Sequence, residues 1–150
     1  GAMGYGVPAA VAAKLVHPDR LVLGFVGDGG FMMTGQELAT SLAEGPGPII
    51  LLFNNAMYGT IRMHQERRFP GRVVGTDLKN PDFPTLARAY GAFGVRVSRT
   101  EDFAPAFEEA ARGNRAAIIE LAMDPEQITT RTTLAALRRQ AEAQEAKAEA

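Results

Sequence analysis

Two hydrophobic runs, each ending in a short polar stretch, constrain the fold of this chain most strongly. The run Leu21–Val26 ends in GDGG at residues 27–30, and the run Ile49–Phe53 ends in NN at residues 54–55. Short, continuously apolar runs bounded by turn residues predict strands that are buried on both faces. Because stretches with helical patterns separate such runs, we predict an α/β protein, a three-layer α/β/α sandwich with a mostly parallel sheet.

The remaining patterns predict the other elements. Helices are predicted over residues 8–16, 35–43, 60–67, 83–90, 101–112 and 132–150, and further strands over residues 94–98 and 117–122. The segment Thr34–Glu37 (TGQE) matches a capping box, which predicts that the second helix begins there. Pro8 suits the first position of its helix, and Gly91 suits the end of the fourth. Residues 68–81 have turn chemistry and little periodicity, and a long irregular loop of this kind is often functional.

Composition and charge exclude several classes of function. The 150 residues carry a net charge of −1 without a long block of Lys or Arg, so we expect no nucleic-acid binding. The chain has no cysteine, which excludes disulfides, zinc ribbons, Cys-ligated iron–sulfur clusters and thiol nucleophiles. Its apolar runs are far shorter than a membrane span and no signal peptide is recognisable, so we expect no membrane association and a cytoplasmic location.

The two polar stretches together offer a set of oxygen ligands. In a parallel sheet the carboxyl ends of neighbouring strands lie at the same edge, where α/β proteins bind their ligands. Asp28 supplies a carboxylate there, Asn55 an amide oxygen, and the loop after it can turn the backbone carbonyl of Met57 toward the same point. Such oxygens suit magnesium, whose remaining positions a diphosphate can fill. Gly29 and Gly30 allow backbone N–H groups to approach phosphate oxygens closely.

Other glycine-rich sites fit these residues less well. A P-loop requires a Lys-Ser or Lys-Thr pair, and none follows. The dinucleotide-binding fingerprint requires a glycine where this chain has Met32. A calcium-binding EF-hand requires acidic residues at alternate positions and a final glutamate, which are missing. Taken alone, GDG fits a structural tight turn equally well, so the interpretation depends on the second stretch.

The spacing and the surrounding words resemble a known family. GDG at residues 27–29 is separated by 24 residues from NN at residues 54–55. This pattern resembles the magnesium–thiamine diphosphate motif of thiamine-dependent enzymes. The words GAMGYGVPAA, GDGGFMMTGQEL and LLFNNAMYG are similar to the C-terminal cofactor-binding domain of acetolactate synthase-like enzymes, over most of residues 1–125. The resemblance implies the thiamine diphosphate-binding fold, with thiamine diphosphate and magnesium as cofactors.

The resemblance assigns the metal and diphosphate positions. Asp28, the side chain of Asn55 and the backbone carbonyl of Met57 correspond to the magnesium ligands. Gly29 and Gly30 correspond to positions that bind the diphosphate. The family often has serine where this chain has Gly30, so one hydroxyl contact is expected to be missing.

Four further residues are assigned to the cofactor by the resemblance alone. Gly1 corresponds to a backbone carbonyl that meets the 4′-amino group of the cofactor, and Met3 to the bulky side chain that bends the cofactor into a V shape. Tyr58 and Gly59 are expected to line the cofactor loop. Residues 1–3 can alternatively be the remnant of a cleaved tag, although the match continues unbroken through residues 4–8 and favours native sequence.

Polar residues around the second stretch have a structural interpretation beside a functional one. Asn54 is expected to shape the loop. His64 lies on the helix that borders the substrate channel in relatives, but a solvated position is the simpler expectation. Arg62, Arg67 and Arg68 can attract a carboxylate substrate or form a solvated helix face.

The resemblance also defines what this chain contributes to an enzyme. Residues 1–131 correspond to the thiamine diphosphate-binding domain and residues 132–150 to a C-terminal helix and tail. The glutamate that activates the cofactor lies in an N-terminal pyrimidine-binding domain, which is absent here together with the middle domain, so no residue is assigned as catalytic. We therefore expect this chain alone to be inactive and to require that domain from the same or a partner chain, in a homo-oligomer.

The expected function of the whole protein is thiamine diphosphate-dependent chemistry on a 2-oxo acid, as a carboligase of the acetolactate synthase type (a transferase). One alternative is a 2-oxo acid decarboxylase (a lyase). Another, from a different class, is a separate non-catalytic subunit that binds the cofactor in a split enzyme.

Overall fold

The structure is a computed structural model that describes residues 1–148. The chain forms two compact units, each built from two segments. The first contains Gly1–Asn54 and Asn80–Ala122, and the second contains Asn55–Lys79 and the chain from Met123 onward. Every helix among the described residues is too short or too polar to cross a lipid bilayer.

Helices and strands alternate along most of the chain. The helices are α1 (Gly6–Val16), α2 (Asp28–Thr34), α3 (Leu38–Glu44), α4 (Gly59–Arg68), α5 (Phe83–Tyr90), α6 (Phe103–Arg112) and α7 (Leu134–Ala148). The strands are β1 (Leu23–Gly27), β2 (Ile49–Asn54), β3 (Phe93–Val97), β4 (Ala117–Ala122), β5 (Gln127–Thr129) and β6 (Thr132–Thr133). Short 3-10 turns over Gly35–Glu37 and Thr100–Asp102 precede α3 and α6.

The first unit is a parallel sheet of four strands in the order β1-β2-β4-β3. Alternate residues of β2 belong to two different hydrophobic clusters, because successive side chains of a strand point to opposite faces. Ile50 and Leu52 pack with residues of α1, α2, α3 and α5, whereas Ile49 and Leu51 pack with residues of α6. The predicted α/β class, with helices on both faces of a parallel sheet, is confirmed.

Strand β1 differs from its prediction. Its side chains alternate between exposed and buried, with Leu23 36% and Phe25 67% exposed, so it is not buried on both faces. The physical reason is its place in the sheet: β1 is the edge strand, and α6 contacts β3 and β4 on the second face. The ring of Phe25 stacks on that of Phe53, with their centroids 6.1 Å apart.

The helix predicted over residues 35–43 is present as the 3-10 turn Gly35–Glu37 followed by α3, but a further helix, α2, precedes it and was not predicted. Helix α2 starts at Asp28, directly after the strand, and the chain turns at Gly35 before α3 continues. The Thr34 side chain makes no capping hydrogen bond, and its hydroxyl donates to the carbonyl of Gly4 at 2.7 Å. At the turn, a Cβ atom on Gly35 would lie 2.5 Å from the ring of Phe31, so this close packing requires glycine.

Other predicted boundaries agree closely with the structure. Strand β4 and helix α5 have the predicted ends. Asp82 caps α5 by accepting the backbone N–H of Thr85 at 2.7 Å, and Gly91 ends it with a φ of 91°. Helix α1 begins at Gly6, two residues earlier than expected, so Pro8 occupies its third position and not its first.

The second unit joins α4 and α7 with the β5–β6 hairpin. The hairpin was not predicted, because its strands are only three and two residues long and carry little apolar alternation. The helix expected over residues 132–150 begins at Leu134, and residues 149–150 of that prediction lie outside the described part of the chain.

Candidate functional site

Asp28 occupies the junction between β1 and α2. Gly27 ends the strand and Asp28 is the first residue of the helix, so no loop separates the two elements. The side chain is buried, with 2% of the residue exposed. Its Oδ1 accepts the backbone N–H of Gly29 at 2.9 Å, and its Oδ2 accepts the side-chain amide of Asn80 at 2.7 Å. The carboxylate is therefore held from both oxygens by neutral donors.

Asp28 differs in charge balance from the other buried carboxylates of the described residues. Glu66 forms an ion pair with Arg138, and Glu120 with Arg96 at 2.8 Å. No Lys, Arg or His among residues 1–148 forms an ion pair with Asp28. A buried charge without an opposite charge is unfavourable, and a cation relieves that cost. The chemistry of Asp28 therefore fits a metal ion.

Asn54 ends β2 beside Asp28. In the β1–β2 register Gly27 lies opposite Phe53, so the residues that follow each of them meet at the carboxyl edge of the sheet. Asn80 connects the two, because its Nδ2 donates to Asp28 Oδ2 at 2.7 Å and to Asn54 Oδ1 at 3.0 Å. Asn54 was expected to shape a loop, but it is a strand residue and belongs to this hydrogen-bonded group.

The second unit contains the chain directly after Asn54. Asn55 Oδ1 accepts the backbone N–H of Met57 at 3.3 Å. Between them, Ala56 has a φ of 56°, a left-handed conformation that is unfavourable for a residue with a Cβ. Backbone pairing maintains this turn: Leu78 donates to the carbonyl of Ala56 at 2.8 Å, and Met57 forms a bridge with Asp77. Strain retained by its surroundings is typical of a functional loop.

Each of the ligand oxygens predicted in this loop retains a lone pair beside its hydrogen bond. The carbonyl of Met57 accepts the N–H of Gly59 at 2.9 Å, and a carbonyl oxygen has a second lone pair. The same holds for the side-chain oxygen of Asn55, which accepts one N–H. A Cβ at Gly59 would lie 2.9 Å from Asn55 Nδ2 and 2.8 Å from Ile128 Cδ1, so the ends of both side chains would have to move. Glycine here leaves the amide of Asn55 in its observed position.

Gly29 and Gly30 lie in the first turn of α2. The sequence pattern predicts a loop at these positions. First-turn N–H groups have no acceptor within their helix, and the helix dipole favours anions there. The N–H of Gly29 is used by Asp28 at 2.9 Å. At Gly30 a Cβ would meet only Val26 at 3.7 Å and the backbone of Gly4 at 3.9 Å, which are ordinary contacts. The backbone there tolerates a close approach, and it also has room for a small side chain.

The remaining predicted cofactor residues lie before the starts of helices α1 and α4. Gly1 and Met3 lie before α1 and are exposed, with Met3 46% exposed. Tyr58 is half-buried and directly precedes α4, and its backbone N–H donates to Thr76 at 2.8 Å. Their roles toward a cofactor stay predictions, as do those of Asp28, Asn55, Met57, Gly29, Gly30 and Gly59.

The charged residues of α4 support the structure of the second unit. Arg62 donates to Asp77 at 2.8 Å and to the hydroxyl of Thr76 at 3.2 Å, which connects α4 to the segment paired with the Met57 loop. Arg138 donates two hydrogen bonds to Glu66, and these hold the pKa of Glu66 below its usual range. His64 is exposed. Arg62 therefore has a structural role in the second unit.

Sequence reasoning missed Asn80. It lies 52 residues from Asp28 in a segment without periodicity, so only the folded chain brings it to the carboxylate. Among the described residues no group of three or more His, Cys, Asp and Glu side chains is arranged to hold a metal. A metal at Asp28 therefore requires amide, carbonyl or ligand oxygens in addition.

Comparison with known proteins is consistent with this arrangement. The profile of the family described as "Thiamine pyrophosphate enzyme, C-terminal TPP binding domain" matches residues 1–121. The chain is 42% identical over 119 residues to the acetolactate synthase large subunit of Corynebacterium glutamicum, a match that covers 76% of this chain and 19% of that protein. It is 35% identical over 124 residues to the mitochondrial acetolactate synthase catalytic subunit of Saccharomyces cerevisiae, covering 83% and 18% of the two proteins.

A solved structure has the same fold. The thiamine diphosphate-dependent 4-hydroxybenzoylformate decarboxylase of Rhodococcus jostii RHA1 matches with a TM-score of 0.76 and 34% sequence identity, over 81% of this chain and 23% of that one. The chain spans about a fifth of the length of the curated relatives named above. The family resemblance inferred from the motifs is confirmed: the chain belongs to the family of C-terminal thiamine pyrophosphate-binding domains of thiamine pyrophosphate enzymes.

Proposed function

We propose that this chain anchors the magnesium ion and the diphosphate of thiamine diphosphate in a thiamine diphosphate-dependent enzyme. The ligands proposed for magnesium are the carboxylate of Asp28, the side-chain oxygen of Asn55 and the backbone carbonyl of Met57. The observation that carries the proposal is the buried carboxylate of Asp28 at the start of a helix, which forms no ion pair with a Lys, Arg or His among residues 1–148. A hard divalent cation matches one carboxylate and neutral oxygens, with phosphate oxygens completing its coordination.

The diphosphate is proposed to lie at the first turn of α2. Backbone N–H groups there point out of the helix without an intrahelical acceptor, and the dipole of the helix favours negative charge. Gly30 presents no side chain, so the backbone can be approached closely. The metal and the helix then neutralise the diphosphate from two sides, which fixes one end of the cofactor.

The residues of this chain bind and orient, and none is proposed as catalytic. When bound, thiamine diphosphate supplies the nucleophilic carbon that lets a 2-oxo acid lose carbon dioxide. Gly1 is proposed to accept a hydrogen bond from the cofactor through its carbonyl, and Met3 to support the bent cofactor from one side. Tyr58 and Gly59 are proposed to line the loop that carries the other two metal ligands.

The whole protein is proposed to be a carboligase of the acetolactate synthase type. The support is the acetolactate synthases of Corynebacterium glutamicum and Saccharomyces cerevisiae among its relatives. Full-length protein incubated with pyruvate, magnesium and thiamine diphosphate is expected to release carbon dioxide and accumulate acetolactate. Decarboxylation that stops at an aldehyde would contradict the carboligase and favour a decarboxylase, the second candidate, which the similarity to the Rhodococcus jostii enzyme supports.

The site is proposed to be completed by a pyrimidine-binding domain from the same or a partner chain, within a homo-oligomer. The 150-residue chain alone should therefore release no carbon dioxide from pyruvate in the presence of magnesium and cofactor. Turnover by the isolated chain would contradict this division of labour. Cofactor binding without turnover in any natural assembly would instead identify a non-catalytic cofactor-binding subunit.

The metal assignment is tested by Asp28→Asn in the full-length natural protein. The neutral amide removes the anionic ligand, so magnesium-dependent binding of thiamine diphosphate should weaken by at least about 100-fold, more than removal of an outer hydrogen-bond partner. Isothermal titration with the cofactor at fixed magnesium measures this. Asp19→Asn is the matched control, because Asp19 is exposed and should bind normally. Equal affinity in both variants would remove Asp28 from the metal site.

A further inference from the structure

A chain of buried and half-buried polar groups leads away from Asp28 into the sheet. Asn80 Nδ2 donates to Asp28 Oδ2 at 2.7 Å and to Asn54 Oδ1 at 3.0 Å. Asn54 Nδ2 in turn donates to Glu120 Oε1 at 2.7 Å. Two carboxylates are thus joined by two side-chain amides, and all four residues belong to the first unit.

The hydrogen bonds of this network, from Asp28 to Glu120, can have only one set of donor and acceptor directions. A carboxylate only accepts, so each amide must turn its NH₂ group toward the carboxylate beside it. The oxygen of Asn54 then points to Asn80, whose NH₂ group has two hydrogens for its two acceptors. Reversing the Asn80 amide would place an oxygen against the Asp28 carboxylate. The orientation of Asn80 is therefore determined by its neighbours.

The end of this hydrogen-bond network at Glu120 is held firmly. Glu120 is 1% exposed in the interior strand β4, and its Oε2 accepts Arg96 Nε at 2.8 Å. Arg96 lies directly opposite Glu120 in the β3–β4 register, so the backbone ladder supports the pair. The hydrogen bond from Arg96 balances the charge of Glu120. Buried polar networks that are satisfied in this way hold their members rigidly.

The near end is different, because the partners of Asp28 in the described part of the protein are all neutral. Asn80 is the one side chain outside helix α2 that holds this carboxylate in the hydrogen bonds of the described residues. It approaches Oδ2, while the backbone of Gly29 occupies Oδ1. Each oxygen retains a lone pair, so the amide of Asn80 can direct the carboxylate without displacing a metal.

We propose that Asn80 is a positioning residue for the metal site: its amide holds the carboxylate of Asp28 in the orientation that binds the divalent cation. This inference rests on the proposed function of Asp28. In this proposal Asn80 affects the metal only indirectly, through its hydrogen bond to Asp28. Its own position is set by Asn54, which is held in turn by the Glu120–Arg96 pair. Outer partners of this kind reduce the reorganisation needed when the metal binds.

The test measures metal binding apart from activity. Full-length natural protein with a fixed concentration of thiamine diphosphate, without substrate, is titrated with Mn²⁺ while the electron paramagnetic resonance signal of free Mn²⁺ is followed, and the same cofactor solution without protein is the blank. Asn80→Ala should raise the dissociation constant of Mn²⁺ about 10-fold, the lower end of the range for outer partners of metal ligands. Asn80→Ser, whose shorter hydroxyl offers one donor, should bind more weakly than the wild type and serves if the alanine variant does not fold.

Asp82→Ala is the matched control for an effect on the segment as a whole. Asp82 lies two residues from Asn80 and caps α5 through Thr85. Its loss should lower the melting temperature without changing the Mn²⁺ affinity. A purely structural role of Asn80 would give the same pattern, with reduced melting temperature and wild-type affinity, and would overturn the proposal.

Asp28→Asn separates the two levels of inference. If this variant loses Mn²⁺ and the Asn80 variants do not, the metal site stands and the positioning role of Asn80 is wrong. If Asp28→Asn binds Mn²⁺ like the wild type, the proposed metal site itself is wrong. Weakened binding in both, with the Asp82 variant unaffected, supports both inferences.

Discussion

Asp28 and Glu66 are both buried carboxylates, 2% and 0% exposed, yet the protein treats their charges in opposite ways. Glu66 on α4 accepts two hydrogen bonds from Arg138 and the N–H of Gly71 at 3.0 Å. Asp28 at the start of α2 accepts neutral N–H groups, from Gly29 and Asn80. Within residues 1–148, the charge of Glu66 is therefore balanced by an opposite charge, whereas that of Asp28 is not.

This difference separates a structural carboxylate from a candidate ligand. The hydrogen bonds from Arg138 lower the pKa of Glu66, so it stays ionised and connects α4 with α7. A charge that is left without an opposite partner weakens the fold unless a ligand supplies one. Both side chains are buried carboxylates, so the charge of the hydrogen-bond partner is what distinguishes them.

The largest expected effect on stability comes from Glu66→Gln. This change leaves Arg138 without its counter-charge, and breaking such a buried pair should reduce the free energy of unfolding by about 2 kcal/mol, less than for a fully buried pair. The expected loss of free energy is smaller than for a fully buried pair because the side chain of Arg138 is 38% exposed. Asp28→Asn should leave the unfolding free energy of the metal-free protein unchanged or higher. Urea unfolding of both full-length variants measures this, and equal losses would contradict the comparison.

The pH dependence of stability should follow Glu66. Its pKa is lower in the folded protein than its ordinary value of 4.5, so it contributes stability that is present above that value. As pH falls through the folded pKa, that contribution disappears. The difference in unfolding free energy between wild type and Glu66→Gln should therefore narrow below about pH 4. Urea midpoints from pH 7 to pH 3 measure it, and a constant difference would show that the ion pair does not control the titration.

Gly59→Ala should affect Asn55, one of the proposed metal ligands. A methyl group there would meet Asn55 Nδ2 at 2.9 Å, so the amide must move. We expect Mn²⁺ affinity to fall about 10-fold, which corresponds to about 1.4 kcal/mol, as for other changes that reorient a ligand. Helix propensity acts in the opposite direction, since alanine is favoured over glycine in α4 by up to about 1 kcal/mol. Weaker Mn²⁺ binding without loss of stability is the diagnostic result; unchanged binding would mean that Asn55 does not hold the metal.

The smallest expected effect is that of Gly30→Ser. The nearest contact of a Cβ at Gly30 is 3.7 Å, and its φ is not in the left-handed region, so serine fits. Serine is favoured over glycine within helices by about 0.5 kcal/mol, which should raise the unfolding midpoint slightly. Its hydroxyl also supplies a donor toward the proposed diphosphate position. Calorimetric titration should therefore give equal or tighter thiamine diphosphate binding, and weaker binding would place the diphosphate elsewhere.

Much of the fold of the first unit could be predicted from local patterns. The four strands were expected because short apolar runs end in turn residues, and α5 because its N-cap and its terminal glycine mark both ends. The exposed face of β1 could not be predicted, since the same apolar run is compatible with an edge or a central strand. Helix α2 was missed because the glycines at residues 27, 29 and 30 are typical of a turn, whereas in the structure the helix begins at Asp28 directly after the strand.

The candidate site likewise contains residues that the sequence predicts and one that it does not. Asp28 and Asn55 were predicted because their spacing and their positions after two strands repeat a family motif, and the position of Asp28 directly after β1 agrees with this. Asn80 carries no such signal, since asparagine in an irregular segment is ordinary. It becomes informative only through its hydrogen bonds to Asp28 and Asn54.

The sequence by itself determined the family, the parallel sheet and the residue types able to bind a magnesium diphosphate, because these depend on local periodicity and on short motifs. The tertiary structure alone decided which buried carboxylate is balanced and which is not. Arg138 lies 72 residues from Glu66, and Asn80 lies 52 residues from Asp28. Charge balance depends on distances between atoms in the folded chain, and folding sets those distances independently of separation in sequence.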